Sequence, residues 1–192
     1  PYEGKVFLAG GAVRDELMGI DANDLDFVIN LEDGGAKFAE WATKKIGNYK
    51  KGSNPVTYET YGTAKFNLVG VEHKGFKLDD MDIDCVMPRT EEYEDGSRKP
   101  KVDSGSLKDD VDRRDFTTNS LLKNLSTGEI LDLTGMGKQD IKDGVVRTPL
   151  DPNVIFSEDP LRMLRAVRFT MKYNWKLPLF MIKALKNNAS KL

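Results

Sequence analysis

Residues 6–29 read Val6-Phe7-Leu8-Ala9-Gly10-Gly11-Ala12-Val13-Arg14-Asp15-Glu16-Leu17-Met18-Gly19-Ile20-Asp21-Ala22-Asn23-Asp24-Leu25-Asp26-Phe27-Val28-Ile29. An apolar run, a glycine turn, a short helix over 13–18 and a second apolar run over 25–29 spell strand, turn, helix, strand. Two successive glycines (Gly10, Gly11) let the backbone approach a phosphate, and the following helix points its N-terminus at the anion. Asp24 and Asp26, two apart on an extended chain, face the same side about 6–7 Å from each other. Two carboxylates aimed at one point suit Mg²⁺, which takes a few carboxylates and completes its shell with substrate phosphate oxygens. Phosphate cradle and carboxylate pair together point to phosphoryl or nucleotidyl transfer. Alone, a Gly-Gly turn is usually just a turn, and a lone Asp-x-Asp usually ends a strand. Order and closeness carry the reading. The turn matches neither G-x-G-x-x-G nor the P-loop.

The 192 residues suffice for one large domain or a domain with a helical appendage. With 39% hydrophobic and 31% charged residues, the chain reads as globular and water-soluble, without a membrane-spanning run or a signal peptide. It opens on Pro1, which suits a processed or trimmed chain. One cysteine, Cys85, cannot form an internal disulfide and suits a reducing, cytoplasmic setting. With the only histidine, His73, it cannot build a Cys/His zinc site. Net charge is −2, so no global basicity marks a nucleic-acid binder. Distribution does: residues 160–192 hold eight Lys/Arg and no Asp/Glu, while Asp79, Asp80, Asp82 and Asp84 cluster upstream. An acidic segment for metal and a basic one for phosphates is one division of labour; a solvated helix face is the plainer alternative.

Hydrophobic periodicity predicts helix over 34–46, strands over 56–61 and 64–71 around Gly62-Thr63, and a strand over 76–86 after a turn at His73-Lys74-Gly75. Residues 88–110 are polar and read as a long loop. Helix follows over 112–124, strand over 129–133, helix over 137–143 ended by Gly144, and helices over 160–173 and 179–187. A boundary falls at Thr148-Pro149-Leu150-Asp151-Pro152, where mixed α/β gives way to helix.

Two further stretches are rich in arginine. Arg113-Arg114-Asp115-Phe116-Thr117-Thr118-Asn119-Ser120 places polar groups inside a predicted helix, where arginine offers bidentate bonds to phosphate. Asp115 is suited to hold an arginine and Asn119 to reach a ribose hydroxyl; an exposed ion-paired face is the alternative. In the second stretch Ser157 reads as an N-cap, with Pro160 in the first turn. Asp159, Arg162, Arg165 and Arg168 wind as a slanted stripe at about 60° per step, and Leu164, Val167 and Met171 fall opposite as expected core. An i,i+3 Asp–Arg pair is commonly only a helix ion pair. Three arginines against one acid leave positive charge that favours a phosphate-rich ligand.

Taken in order, these blocks resemble the class II CCA-adding tRNA nucleotidyltransferases and bacterial poly(A) polymerases of the polymerase-β-like superfamily. The matching blocks are residues 10–15, Asp24-Leu25-Asp26, residues 113–119, Asp132-Leu133-Thr134-Gly135 with Gln139-Asp140, and Glu158-Asp159-Pro160-Leu161-Arg162 through Arg168-Phe169. The resemblance implies an α/β (α+β) fold: a nucleotidyltransferase head over 1–149, with a mixed, largely antiparallel sheet flanked by helices, then the start of an all-α neck over 150–192. It implies two Mg²⁺ on Asp24 and Asp26, with a third carboxylate at Asp84, for which Asp82 competes. Gly10, Gly11, Arg14, Arg114, Arg165 and Arg168 would contact the nucleoside triphosphate, with Asp115 in the same set and Asn119 facing the sugar. Asp159 and Arg162 match the pair that reads the base edge; cytosine and adenine both present an amine donor beside a ring-nitrogen acceptor.

The implied activity is addition of C and A from CTP and ATP to an RNA 3′ end, with tRNA as the RNA. The alternatives are poly(A) addition and a catalytically idle nucleotide- or RNA-binding module. The sequence departs from the family at the acidic Asp79-Asp80-Met81-Asp82 and at Pro88. It also stops short of the body and tail domains with which family members continue. No membrane partner is expected, and oligomeric state is left open.

Overall fold

The apolar runs around the glycine turn form strand β1 (Val6–Ala9), helix α1 (Gly11–Leu17) and strand β2 (Leu25–Ile29). This computed structural model describes residues 1–22, 24–46, 55–58, 62–68, 71–73, 76–78, 81–92 and 101–192. Helix α2 (Gly34–Ile46) and strands β3 (Val56–Tyr58), β4 (Thr63–Leu68), β5 (Val71–His73), β6 (Phe76–Leu78) and β7 (Met81–Val86) follow. β1–β4 and β7, with β10 (Leu122–Asn124) and β11 (Ile130–Leu131), build a seven-stranded sheet of order β11-β10-β1-β2-β7-β4-β3, and β5 and β6 pair separately. β2 and β7 run parallel, whereas β1–β10, β1–β2, β4–β7 and β3–β4 pair antiparallel. The sheet is therefore mixed and largely antiparallel, as expected.

The chain divides into two compact units, residues 1–88 with 122–130 and residues 89–121 with 131–192. In the first, α2 packs on the sheet through Ala39 and Ala42 against Ile29, Ala64, Phe66 and Ile83. Its first turn approaches so closely that a Cβ on Gly35 would meet the Gly62 carbonyl oxygen at 2.5 Å and that of Cys85 at 2.6 Å. Cys85 is fully buried, and its thiol is pushed up to about 12 by burial and then by the charge of Asp84. It is a packing residue.

In the second unit, strands β8 (Arg89–Glu92) and β9 (Lys101–Ser104) form a hairpin before helix α3 (Leu107–Asp112). Helices α4 (Gly137–Asp143), α5 (Pro152–Glu158), α6 (Leu161–Tyr173) and α7 (Leu179–Asn188) complete it. Phe116 packs against Phe169 with ring centres 5.0 Å apart and planes tilted by 52°, and both are buried.

Several expectations are corrected. The polar stretch 88–110 is not one loop, since it holds β8, β9 and the start of α3, with 93–100 outside the described residues. The strand expected over 76–86 is two strands in different sheets: β6 pairs with β5, and β7 joins the large sheet. β6 ends at Leu78 and β7 begins at Met81; Asp79 and Asp80, like Lys74 and Gly75 of the expected turn, lie outside the described residues. The strands expected over 56–61 and 64–71 are described only as β3 and β4, with β5 separate; 59–61 and 69–70 lie outside the described residues.

The helix expected over 112–124 is also absent. A capping box between Ser106 and Asp109 starts α3 earlier, and it ends at Asp112. Asp115 Oδ1 then accepts from the Phe116 amide at 2.8 Å, offering the backbone an alternative to helix. Phe116 is extended, Thr117–Asn119 forms a 3₁₀ turn, and β10 follows. Ser157 does not cap α6. It lies inside α5, whose N-cap is Asp151 with Pro152 behind it, while Pro160 precedes α6. Finally, Leu164, Val167 and Met171 are 54%, 46% and 79% exposed; the buried face of α6 is Arg162, Met163, Ala166 and Phe169. Apolar residues occur on both sides of this helix, so periodicity alone chose the wrong one.

Candidate active site

The glycine turn and the carboxylates lie in the first unit. Gly10 precedes α1 at φ 68°, ψ −129°, a backbone conformation that L side chains rarely adopt. Arg14 is buried on the first turn, where its Nε donates to Asp15 Oδ1 at 2.8 Å. A Cβ on Gly11 would lie 3.5 Å from Arg14 Nη2, so the guanidinium rests beside bare backbone.

Asp24 and Asp26 are exposed at the start of β2. Asp26 pairs in register with Ala9 on one side and with Asp84 on the other. Neighbouring strands lie about 4.8 Å apart, so opposed residues share a face and Asp26 and Asp84 stand side by side. β4 continues the row, with Lys65 opposite Asp84 and Asn67 opposite Asp82. Lys65 Nζ lies 2.9 Å from Asp82 Oδ2 and 3.8 Å from Asp84 Oδ2. The Asp82 hydrogen bond, then the charges of Asp84, Asp82 and Asp24, hold the ammonium above the usual lysine range despite desolvation. Asp82 is held below the usual carboxylate range by Lys65 and then by Asn67 Nδ2, which donates at 2.9 Å. Asp82 is therefore committed, which favours Asp84 as the carboxylate beside Asp26.

Among the described residues no three His, Cys, Asp or Glu side chains form a closed metal cage. The donor set is instead a pair of carboxylates on adjacent strands with Asp24 on the same face. That suits a hard divalent cation whose remaining ligands come from water and substrate phosphate.

The other candidate arginines, Arg114, Arg162, Arg165 and Arg168, lie in the second unit, most of them held by acids. Asp110 is fully buried and takes both Arg113 and Arg114. Arg114 donates to Asp110 Oδ2 through Nε at 3.2 Å and Nη2 at 2.8 Å, and through Nη1 to the Asn119 carbonyl at 3.2 Å. Burial pushes the Asp110 carboxyl up, but the charges of Arg114 and Arg113 outweigh it and hold it below its ordinary value. Arg113 also reaches Glu91, which binds Arg89, so the same ion network secures the β8–β9 hairpin.

Asp115 accepts from Asn119 Nδ2 at 3.0 Å on one oxygen and from Arg165 Nε at 2.7 Å on the other. The structure thus joins Arg114, Asp115, Asn119 and Arg165 in one hydrogen-bonded group. Arg162 is only 7% exposed, and its Nη1 has no hydrogen-bond partner among the described residues, its nearest acid being Glu158 at 3.6 Å. Burial and, more weakly, Glu91 push Glu158 up against the pull of Arg162. Asp159 caps the end of α5 and accepts from the Leu161 amide at 3.2 Å. Arg168 is exposed one turn beyond Arg165. The expected stripe is thus uneven: Arg162 is buried, Arg165 and Arg168 face water.

Asp132 accepts from Thr134 Oγ1 at 2.8 Å and from the Lys138 amide at 2.9 Å, so its block secures the start of α4. Lys65, Asp110 and Glu91 escaped the sequence reading. Asp110 alone left a signal, standing three and four residues before Arg113 and Arg114. Among the described residues no helix is long and apolar enough to cross a membrane.

Residues 6–147 match the family model described as the poly(A) polymerase head domain. The chain is 38% identical over 181 residues to the mitochondrial CCA tRNA nucleotidyltransferase of Saccharomyces cerevisiae, covering 88% of this chain and 31% of that protein. It is 34% identical over 185 residues to the A-adding tRNA nucleotidyltransferase of Aquifex aeolicus, covering 95% and 20%. It superposes with a TM-score of 0.75 on the Thermotoga maritima CCA-adding enzyme complexed with tRNA-CCA, at 28% identity and covering 97% and 38% of the two chains. The chain spans about a third of the length of the Saccharomyces cerevisiae relative and about a fifth of that of the Aquifex aeolicus one.

Proposed function

The chain belongs to the poly(A) polymerase head-domain family of nucleotidyltransferases, and from that premise we propose that it carries the catalytic head, over 1–149, and the first neck helices, over 150–192, of a template-independent tRNA nucleotidyltransferase. It would add C and A from CTP and ATP to a tRNA 3′ end. The single observation that carries this reading is the register of Asp26 with Asp84, reinforced by Asp24 on the same face. Asp24, Asp26 and Asp84 would hold Mg²⁺. When bound, Mg²⁺ would lower the charge barrier to attack by the RNA 3′-hydroxyl and to departure of pyrophosphate.

The protein's own groups bind and orient. Gly10, Gly11 and Arg14 would accept the triphosphate against open backbone. Arg114, preset by Asp110, and Arg165, preset by Asp115, would meet phosphate oxygens, with the exposed Arg168 beside them. Asn119, tied to Asp115, would face the sugar. Asp159 and Arg162 would accept and donate at the Watson–Crick edge of C or A, the pattern uracil and guanine lack. The buried Cys85 supports a reducing, cytoplasmic setting.

The Aquifex relative favours a second reading, addition of A alone. Incubation with each labelled nucleotide and three acceptors separates the outcomes: tRNA lacking CCA, tRNA ending in CC, and a plain oligonucleotide. Extension of the first acceptor through CCA supports the proposal. Extension only of tRNA ending in CC supports A addition. A long A tail on the oligonucleotide marks a poly(A) polymerase, and nucleotide binding without any product marks an idle module or a head that acts only with the rest of the enzyme.

A further inference from the structure

The carboxylate face of the first unit contains its own cation. Lys65 stands opposite Asp84, and Asn67 opposite Asp82, in the β4–β7 register. Lys65 Nζ is at hydrogen-bond distance from Asp82, at 2.9 Å, but only within ion-pair distance of Asp84, at 3.8 Å. Asn67 Nδ2 engages the other oxygen of Asp82 at 2.9 Å. Both Asp82 oxygens are thus occupied, while Asp84 feels the ammonium without being hydrogen-bonded to it. Asp24, Asp26, Asp82 and Asp84 share this face, and like charges held so close repel unless a cation stands among them.

We propose that Lys65 is the resident counter-charge of this row: it stays on Asp82, keeps that carboxylate out of the metal site, and competes at Asp84 with the divalent cation. The inference rests on the assignment of Asp26 and Asp84 as metal ligands. An ammonium about 4 Å from the oxygen that receives the cation opposes a double positive charge even in a water-like dielectric. Lys65 therefore sets how much divalent cation the free protein binds. One ammonium offsets part of the charge of the four carboxylates and leaves the rest for a divalent cation.

The test uses Mn²⁺ alone, followed by its free-ion paramagnetic resonance signal, with wild type, Lys65→Met, Lys65→Arg and Asp26→Asn. Lys65→Met is expected to bind Mn²⁺ about five- to tenfold more tightly than wild type at low salt, a gain that shrinks in high salt. Lys65→Arg, which keeps the charge, should stay near wild type. Thermal melting verifies that each variant is folded. Unchanged or weaker Mn²⁺ binding by Lys65→Met, with binding still lost in Asp26→Asn, overturns the role of Lys65 and spares the metal assignment. Mn²⁺ binding that is indifferent to Asp26→Asn, or absent from every variant, overturns both.

Discussion

Asp26 and Asp84 stand in direct register on neighbouring parallel strands of one sheet. Two acids side by side at a sheet surface gain nothing from packing and repel each other. Such a pair makes physical sense as half of a site whose other half is a cation.

Asp24→Asn and Asp26→Asn should each abolish nucleotide incorporation while leaving the fold intact. Both side chains are exposed, so the change removes negative charge without opening a cavity. A loss of several kcal/mol of charge stabilisation corresponds to at least about 100-fold in rate. Single-turnover incorporation and thermal melting measure the two halves of this statement. Wild-type rates in either variant would sink the metal assignment.

Asp84 and Asp82 should behave differently. Asp82 is committed to Lys65 and Asn67, while Asp84 neighbours Asp26. Asp84→Asn is therefore expected to reduce incorporation about as far as Asp26→Asn. Asp82→Asn should cost less than about tenfold, since an exposed ion pair contributes on the order of 1 kcal/mol or less. Equal losses, or the reverse order, would move the third carboxylate to Asp82.

Much of this was legible in the sequence because the glycine turn, β2 and α2 are local patterns, although α2 buries Ala39, Ala42 and Thr43 most deeply and leaves Ile46 exposed. Residues 112–124 were not legible: Asp115 and Asn119 look like one helix face, but their side chains bond each other and the backbone in a turn. The register of Asp26 with Asp84 was also hidden, because a pairing across 58 positions (26 to 84) leaves no periodic trace in the chain. For α6, sequence found the arginines but not that Arg162 points inward, since the choice between two half-apolar faces is made by the neighbours.

Asp110→Asn should destabilise the fold in a pH-dependent way. Burial alone would raise this carboxyl, but Arg114 and Arg113 outweigh it, so its folded pKa lies below the ordinary 3.8. The sign follows: a depressed pKa contributes stability that is present above the ordinary value and lost as pH falls through the folded one. Removing one partner of a buried ionic group costs about 3–5 kcal/mol. Urea unfolding at pH 7 should show a loss of that order. The gap to wild type should narrow below about pH 4, as the wild-type carboxyl takes up its proton. A gap that stays constant down to pH 3 would mean that the ionised form is not what stabilises the unit.

Arg162→Ala should blur the preference for C and A over U and G. Arg162 is a buried guanidinium whose Nη1 has no hydrogen-bond partner among the described residues, with Glu158 no nearer than 3.6 Å, which makes it the candidate donor to a base edge. Bidentate contacts to a base edge discriminate by about 1–3 kcal/mol, so the ratio of correct to incorrect incorporation should fall roughly 5- to 150-fold. The ratio is measured within one variant, so any loss of folded protein cancels from it. Arg162→Lys supplies the charge without the planar fork, and a point charge cannot impose a two-bond pattern. It should therefore recover nucleotide affinity more than selection. Undiminished selection in Arg162→Ala would remove this residue from base reading and leave Asp159 to account for it.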